Sequence, residues 1–248
     1  MLLLETNYSN EAISAIGIVK SFKERKALSN LNISIPEGRR VALLGPNGAG
    51  KSTALKIICG ILKPDYGEVR IMGHSPNSPE AKKIIGFLPE DASPYPTLSV
   101  RENMEYIGAI RETDDLGSRI GDLVSTLGLS EYMEMRVSAL SRGNRQKVAV
   151  ALSLIHRPEI LVMDEPLNYL DIPTQENLIS MFSEMKGTFL VSTHIMSIAE
   201  KLTDHVIIIS RGQEIWNGST EDLRNMGHGQ ESIEQIVSRL MRSVSSNS

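Results

Sequence analysis

The chain contains little cysteine, few aromatic residues and no long apolar run. Cys59 is its one cysteine, which excludes an intramolecular disulfide and a cysteine-based zinc site and indicates a reducing compartment. The apolar start, Met1 to Leu4, is too short for the core of a signal peptide, and no apolar run approaches the roughly 18 residues that span a bilayer. We therefore expect a cytoplasmic protein that does not cross a membrane by itself.

The chain also lacks an excess of positive charge. It has 26 basic and 30 acidic side chains, a formal net charge of -4, and 4% aromatic residues. This balance supplies neither attraction to phosphates nor stacking on bases, so no nucleic acid partner is expected. Hydrophobic residues make up 41% and charged residues 23% of the 248 positions, which is typical of globular proteins and excludes a disordered chain.

Two kinds of strand pattern indicate two kinds of sheet. Apolar residues alternate at Leu31, Ile33 and Ile35, which predicts a half-buried, antiparallel strand. Short, mostly apolar runs, typical of strands buried on both faces of a parallel sheet, lie at residues 41–44, 160–163, 189–192 and 206–210. The segments between the last three runs are long enough for helical crossovers, so an α/β fold is predicted.

Helical patterns occupy the remaining parts of the chain. Leu55, Ile58, Cys59 and Leu62 have the spacing of a helix face, and Pro64 is expected to end that helix. From about Val100 to His156 the strand pattern disappears, which predicts an inserted helical subdomain. Near the end of the chain, Ile233, Ile236, Val237, Leu240 and Met241 keep helical spacing. That helix is expected to cover its own core, and binding a partner is the alternative. Residues 1 to about 10 and the terminal Ser-Asn-Ser are expected to be loose.

The clearest motif lies between the first buried strand and the following helix. The sequence GPNGAGKST at residues 45–53 satisfies the pattern G-x-x-x-x-G-K-[ST]. Glycines let the backbone approach a phosphate chain, and the positive end of the helix faces the anion. The predicted binding residues are Gly45, Pro46, Asn47, Gly48, Ala49, Gly50, Lys51, Ser52 and Thr53. A nucleoside triphosphate on a P-loop NTPase core is therefore expected, with Lys51 at its β- and γ-phosphates and the Ser52 hydroxyl on Mg2+.

A pair of carboxylates supplies the chemistry for hydrolysis. Asp164 and Glu165 follow the apolar run 160–163, and ligands of α/β sheets gather at such strand ends. Asp164 is predicted to hold Mg2+, directly or through water, and Glu165 to accept a proton from the attacking water.

With these motifs in place, nearly the whole chain resembles the nucleotide-binding domain of the ATP-binding cassette (ABC) family. LSRGNRQK at residues 140–147 resembles the family's signature sequence, which implies that Ser141, Gly143 and Asn144 contact nucleotide. Asp171 resembles the D-loop aspartate, which implies that it belongs to the nucleotide-binding residues. His194 resembles the switch histidine, which implies a catalytic role. Phe22 lies where the family places an aromatic ring against adenine.

The resemblance also implies an assembly and a division into parts. Two cassettes would pack head to tail, as a homodimer or a heterodimer, so that each ATP lies between the phosphate-binding loop of one chain and Ser141 of the other. We expect an ABC ATPase domain at 11–220, with core and antiparallel parts at about 11–88 and 157–220 and a helical subdomain at about 89–156. Residues 221–248 would form a C-terminal helix and tail.

Three positions depart from the family pattern. Glu90 stands where a glutamine is common; its carboxylate can still approach Mg2+, so we count it among the candidate catalytic and metal-binding residues. Arg142 and Asn144 replace the commoner glycine and glutamine of the signature, which adds a cation and shortens an amide. Phe22 can stack but lacks a tyrosine hydroxyl.

The predicted function is an ATP-hydrolysing subunit that energises a separate membrane permease, for export, from the inner face of the cell membrane. The permease is expected to dock in a groove near Glu90 and the helical subdomain, where Tyr95, Leu98 and Tyr106 are either contact residues or satisfied core and turn positions. Two alternatives stay open: a soluble ABC ATPase acting on ribosomes or nucleic acid, and a regulatory cassette that binds ATP without hydrolysing it.

Overall fold

The computed structural model describes residues 11–227 and 231–245. The segments predicted to be loose, residues 1–10 and the last three residues, lie outside the described residues. In chain order the elements are β1 (Glu11–Phe22), β2 (Arg25–Pro36), β3 (Arg40–Leu44), α1 (Lys51–Ile58), β4 (Tyr66–Ile71), α2 (Pro79–Ile84), β5 (Ile85–Leu88), α3 (Val100–Ile110), α4 (Leu116–Leu127), α5 (Arg142–Leu154), β6 (Ile160–Asp164), α6 (Ile172–Glu184), β7 (Thr188–Thr193), α7 (Met196–Leu202), β8 (His205–Ser210), β9 (Gln213–Ser219), α8 (Thr220–Asn225) and α9 (Ile233–Ser245).

The two predicted sheets are both present. The antiparallel sheet has the strand order β2-β1-β4. In β2 the predicted alternation appears as buried Leu31, Ile33 and Ile35 between exposed neighbours. The larger sheet has the order β5-β6-β7-β3-β8-β9, and its neighbouring strands are parallel except for the β8–β9 pair. The fold is therefore the predicted α/β class.

The order of strands in the larger sheet brings the motifs together. Strand β3 pairs with β7, and β7 pairs with β6, all in parallel. The carboxyl ends of these three strands therefore lie at one edge of the sheet. The phosphate-binding loop follows β3, Glu165 follows β6, and His194 follows β7.

Three helices form most of the inserted segment between β5 and β6. Helix α3 begins with a capping box, in which the Ser99 side chain accepts from the Glu102 N–H and Glu102 accepts from the Ser99 N–H. The buried residues of the three helices, such as Met104, Leu123 and Val148, share one apolar cluster with Leu161 of the sheet. The helical subdomain is thus packed on the sheet by a continuous core.

The C-terminal helix lies against a third apolar cluster. Ile236 and Val237 are buried in α9 and pack with Leu44 at the end of β3 and with Met196 at the start of α7. The apolar face of this helix therefore covers part of its own chain.

One helix boundary differs from the prediction. Helix α1 ends at Ile58, before Leu62, because Gly60 has a φ of +70° and the Ile61 N–H donates to the Lys56 carbonyl oxygen at 2.9 Å. Strand β5 begins at Ile85, directly after Ile84 ends the short helix α2. Among the described residues, no helix combines the length and the apolar character needed to span a bilayer.

Candidate functional site

The phosphate-binding loop connects β3 directly to α1. Leu44 is the last residue of the strand and Lys51 is the first of the helix. Gly50 precedes the helix with a φ of +108°, and a Cβ atom there would lie 2.7 Å from the Ala27 carbonyl oxygen. Glycine is thus required both by the backbone conformation and by the close approach of β2. The sequence pattern and the local structure agree on a tight loop at a helix N-terminus.

Lys51 is directed into this loop. Its Nζ donates to the Gly45 carbonyl oxygen at 2.7 Å, and the residue is 7% exposed. Burial lowers the pKa of Lys51, whereas the carboxylates of Glu165, Asp164 and Glu90 act to raise it. The loop therefore holds one buried cation close to three acidic side chains, a charge distribution suited to a polyanion chelated by a divalent cation.

Asp164 ends the buried strand β6, and Glu165 follows it in a different environment. Asp164 is 2% exposed and accepts a hydrogen bond from the Ser192 hydroxyl. Glu165 has a φ of +48°, and its N–H donates to the Ser192 carbonyl oxygen at 3.0 Å. A non-glycine residue in the left-handed region costs on the order of 1 to 3 kcal/mol, which is typical of functional positions. The neighbouring strand β7 thus fixes both residues.

His194 joins this group from the end of β7. Its Nδ1 lies 2.8 Å from Oε1 of Glu165, and its side chain is half-exposed. A hydrogen bond at this distance orients the carboxylate and leaves the other ring nitrogen of His194 for a further contact. The glutamate and the histidine, predicted from separate motifs, form one pair.

A cleft of about 570 Å3 brings most of the predicted residues together. Phe22 lies at its edge and is half-exposed. The predicted residues that line it are Phe22, Asn47, Gly48, Gly50, Lys51, Ser52, Thr53, Glu90, Asp164, Glu165 and His194. Gly45, Pro46 and Ala49 belong to the same loop but do not line the cleft. The other lining residues are Arg25 and Ala27, which sequence reasoning missed.

Glu90 lies in this cleft, two residues after β5 ends at Leu88. Burial raises the pKa of its carboxyl group, and the nearby carboxylates of Asp164, Asp91 and Glu165 raise it further. Lys51 opposes this shift. Glu90 therefore adds a carboxylate that is repelled by the neighbouring carboxylates of the cleft, whereas a glutamine at this position would not be repelled.

The signature residues lie outside the cleft. Ser141 is the N-cap of α5, and its hydroxyl accepts from the Asn144 N–H at 3.2 Å. Gly143 lies in the first turn of the same helix. Asp171 is the N-cap of α6 and accepts from the Thr174 N–H at 3.0 Å. Hydrogen bonding with the Thr174 side chain, and secondly with its N–H, lowers the pKa of Asp171. None of these four residues lines the cleft that contains Lys51.

Comparison with known proteins identifies the family. The model of the ABC transporter family matches residues 28–168. The ABC transporter ATP-binding protein NatA of Bacillus subtilis (strain 168) is 35% identical over 229 residues, which cover 89% of this chain and 93% of that protein. The chain belongs to the ABC transporter family.

Further relatives of this ABC protein support the same family and fold. The Nod factor export ATP-binding protein I of Bradyrhizobium diazoefficiens is 33% identical over 227 residues, which cover 88% of this chain and 73% of that protein. A solved ATP-binding subunit of an ABC transporter superposes with a TM-score of 0.85 at 25% identity, over 92% of this chain and 99% of that one.

One solved relative contains the products of ATP hydrolysis. The ATP-binding cassette MJ0796, in a dimeric post-hydrolysis state bound to ADP and Pi, superposes with a TM-score of 0.76 at 28% identity, over 84% of this chain and 98% of that one. The present chain is thus an ABC ATP-binding subunit with ATPase activity.

Two glutamines of this ABC subunit have structural roles that the sequence analysis missed. Gln146 of α5 is buried and donates from Nε2 to the Pro166 carbonyl oxygen at 3.1 Å. Gln175 of α6 donates to the carbonyl oxygens of Leu167 and Leu170 at 3.1 and 3.2 Å. Both hold the loop that follows Glu165. Only the tertiary structure shows the partners of these glutamines. Arg25, in contrast, could have been predicted as a cation near the nucleotide, because it lies three residues after Phe22.

Proposed function

We propose that this subunit energises a separate membrane permease from the cytoplasmic side, in export, through ATP-driven head-to-tail dimerisation of two cassettes. The observation that carries the proposal is the separation, within one chain, of the signature residue Ser141 from the cleft lined by Lys51. A helix N-terminus capped by a serine suits an anion, yet within residues 11–227 and 231–245 the cleft that contains Lys51 does not reach it. A second chain would supply the phosphate site.

In this proposal the cleft binds ATP along its length. Phe22 at the edge stacks on adenine, and the loop at 45–53 surrounds the phosphates, with Lys51 leaving its carbonyl partner in the loop for the β- and γ-phosphates. One negative group would thereby replace a neutral oxygen as the partner of a buried ammonium, which favours binding.

Mg2+ would be held by Ser52 and Asp164, with Glu90 as a further oxygen ligand nearby. All three line the cleft, and hydroxyl and carboxylate oxygens are the ligands that this cation prefers. Within residues 11–227 and 231–245, no cluster of three or more histidine, cysteine or acidic side chains could hold a metal ion by itself. The residues therefore fit a cation that is bound together with the nucleotide, where it would neutralise phosphate charge.

Hydrolysis in this proposal uses Glu165 as the base. The water oxygen attacks the γ-phosphorus while the bond to the oxygen that bridges the β- and γ-phosphorus atoms breaks, and the water proton moves to the Glu165 carboxylate. His194 orients that carboxylate through the 2.8 Å contact. Loss of the γ-phosphate then removes the group that Ser141 and Gly143 of the facing cassette bind, so the dimer opens.

A groove beside the helical subdomain suits a permease helix. Its volume is about 860 Å3, and its apolar wall includes Phe87, Tyr95 and Ile107. Ile61 and Ile110, which also line it, are 62% and 59% exposed. An apolar surface of this kind fits an amphipathic helix. The name of the Bradyrhizobium relative supports export as the direction.

The three residues considered as permease contacts are placed differently. Tyr95 lines the groove, whereas Tyr106 packs edge-on against Tyr95 with ring centroids 5.3 Å apart. Leu98 lies in a turn, where its carbonyl oxygen accepts from the Val137 N–H at 3.0 Å. Tyr95 is thus the strongest of the three as a contact in the proposed docking groove.

A base-deficient variant tests the shared sites. Glu165→Gln should retain ATP and form an ATP-dependent dimer, with hydrolysis reduced by on the order of 10² to 10⁴. Glu159→Gln, at the opposite end of β6 and exposed, is the matched control. A Glu165→Gln protein that stays monomeric at saturating ATP and Mg2+ would contradict the proposed assembly.

The ATPase activity of a mixture of two inactive variants also tests whether the ATP sites are shared between two chains. Lys51→Ala and Ser141→Arg chains should together restore one intact composite site in each heterodimer. Absence of recovery at every mixing ratio would indicate catalysis within one chain.

Purification from cells tests the partner. Copurification of the tagged subunit with an integral membrane protein supports the permease, and the number of cassette types in that complex distinguishes a homodimer from a heterodimer. Copurification with ribosomes or nucleic acid instead would favour the soluble alternative.

A further inference from the structure

A side chain of α5, the helix that begins after Ser141 and is called here the signature helix, stacks on a side chain of the loop after Glu165. The guanidinium carbon of Arg142, the first residue of α5, lies 3.1 Å from the ring centroid of Tyr169. Arg142 is one of the residues that depart from the family's signature pattern. The contact joins the helix that begins after Ser141 to the loop between Glu165 and Asp171.

The backbone beneath this contact is in an unfavourable conformation. Tyr169 has a φ of +68°, which is rare for a bulky side chain, and its ring is half-exposed. A tyrosine is kept in such a conformation only when its surroundings determine it. Within the described residues Arg142 has no ion-pair partner, so its guanidinium interacts with the ring of Tyr169 and with no carboxylate.

Other contacts connect the same two elements. Gln146, one turn further along α5, donates to the Pro166 carbonyl oxygen. A Cβ atom on Gly143 would lie 3.7 Å from the Tyr169 carbonyl oxygen, which shows how closely the loop passes the helix. The loop from Pro166 to Leu170 is therefore held to the signature helix at both of its ends.

We propose that the Arg142–Tyr169 stack is a positioning contact that makes the Glu165 loop and the signature segment of one chain move together. This inference rests on the proposed head-to-tail dimer. There, Ser141 of a chain contacts the ATP bound by its partner, while Glu165 of the same chain acts on its own ATP. A rigid link between them makes occupancy of one ATP site affect the position of the base in the other, so the two sites hydrolyse ATP cooperatively.

Hydrogen exchange on the isolated, nucleotide-free chain tests the contact itself. Arg142→Met keeps the stem and removes the guanidinium, and Tyr169→Asn removes the ring but tolerates a positive φ. Each should accelerate amide exchange of residues 167–171 severalfold, on the order of five- to tenfold, and the double variant should add little. Arg136→Met, at an exposed arginine of the same subdomain, is the control. Unchanged exchange in both single variants would overturn the proposal.

ATPase assays then test the coupling of the sites. The wild-type chain should hydrolyse ATP with a Hill coefficient above 1, and Arg142→Met and Tyr169→Asn should each bring it towards 1, with no further change in the double variant. Tyr169→Phe, which keeps the ring, should retain cooperativity. The proposal would be overturned if the single variants kept the Hill coefficient of the wild type. It would also be overturned if the double variant lowered the Hill coefficient by the combined effect of the two single variants.

The exchange experiment needs no dimer, so it separates this contact from the proposed function. If Glu165→Gln fails to dimerise while both single variants still accelerate exchange, the composite site fails and the contact within the chain stands.

Discussion

Nδ1 of His194 and Oε1 of Glu165 lie 2.8 Å apart, although the two residues follow different strands. Strands β6 and β7 are parallel neighbours, so their ends meet at one edge of the sheet. Glu165 is buried and His194 is half-exposed, so the histidine lies on the solvent side of the carboxylate. The histidine thereby restricts the direction in which the proposed base can point.

Replacing this histidine should affect turnover more than binding. In His194→Ala the carboxylate loses a hydrogen bond of the charged type, which contributes about 1.5 to 3 kcal/mol. We expect kcat to fall roughly 10- to 100-fold and KM for ATP to change much less. Steady-state phosphate release measures both, and His74→Ala, at an exposed histidine, is the control. A variant with raised KM and unchanged kcat would show that His194 serves binding.

Lys51→Ala should weaken ATP binding. The ammonium is buried in the loop, and its proposed contact with the triphosphate is charge-assisted, so its loss should raise the Kd by roughly 10- to 100-fold. Titration with a fluorescent ATP analogue measures the Kd. Lys56→Ala, an exposed lysine on the same helix, should bind like the wild type. Equal affinity of Lys51→Ala and wild type would contradict the assignment of the phosphate-binding loop.

A charge placed in the apolar groove should release the permease. Ile110 is 59% exposed, so Ile110→Asp should fold normally, but binding would then bury an unpaired carboxylate. We expect at least a tenfold loss of affinity for the permease, since burying such a group costs several kcal/mol. The yield of membrane protein that copurifies measures this, and Ile16→Asp, an exposed isoleucine that does not line the groove, is the control. Equal yields from both variants would place the docking surface elsewhere.

His156 should make the fold sensitive to acid. The pKa of His156 is lowered from 6.5 to about 4, mainly by burial and also by the charges of Arg111 and Arg119, although the contact of its Nε2 with the Ile85 carbonyl oxygen at 3.0 Å partly opposes the shift. Between these two pH values the unfolded chain binds a proton that the native chain does not. The free energy of unfolding therefore falls as the pH falls from about 6.5 to 4, by about 3 kcal/mol from this residue.

The contribution of His156 is measured by difference. Denaturant unfolding at several pH values should show a shallower loss of stability in His156→Gln than in the wild type, because glutamine does not titrate. His74→Gln, at an exposed position, should follow the wild type. Parallel curves for His156→Gln and wild type would mean that His156 is not the source of the acid sensitivity.

Short sequence patterns predicted those strands and helices that depend on residues close together in the chain. Alternation placed the strand with Leu31, Ile33 and Ile35, and continuous apolar runs placed the strands buried on both faces. Helix α2 was missed because six residues are too few for a period, although Ser78 followed by Pro79 is an N-terminal signal that could have indicated it. Helix α1 was extended too far because the apolar period continues through Leu62, while the C-terminal signal of Gly60 went unused.

The sequence alone determined the α/β class, from the order of strand and helix patterns, and the family, from the order of its motifs. It also predicted the phosphate-binding loop and the carboxylate pair, because each depends on spacing along a few consecutive residues. Only the tertiary structure decided that His194 meets Glu165, that Gln146 and Gln175 hold the loop between them, and that Arg142 stacks on Tyr169. The contacts of His194, Gln146 and Arg142 join residues 20 or more positions apart in the chain, and those of Gln175 connect α6 to the loop before it. Their geometry is set by strand order and helix packing, which no local pattern encodes.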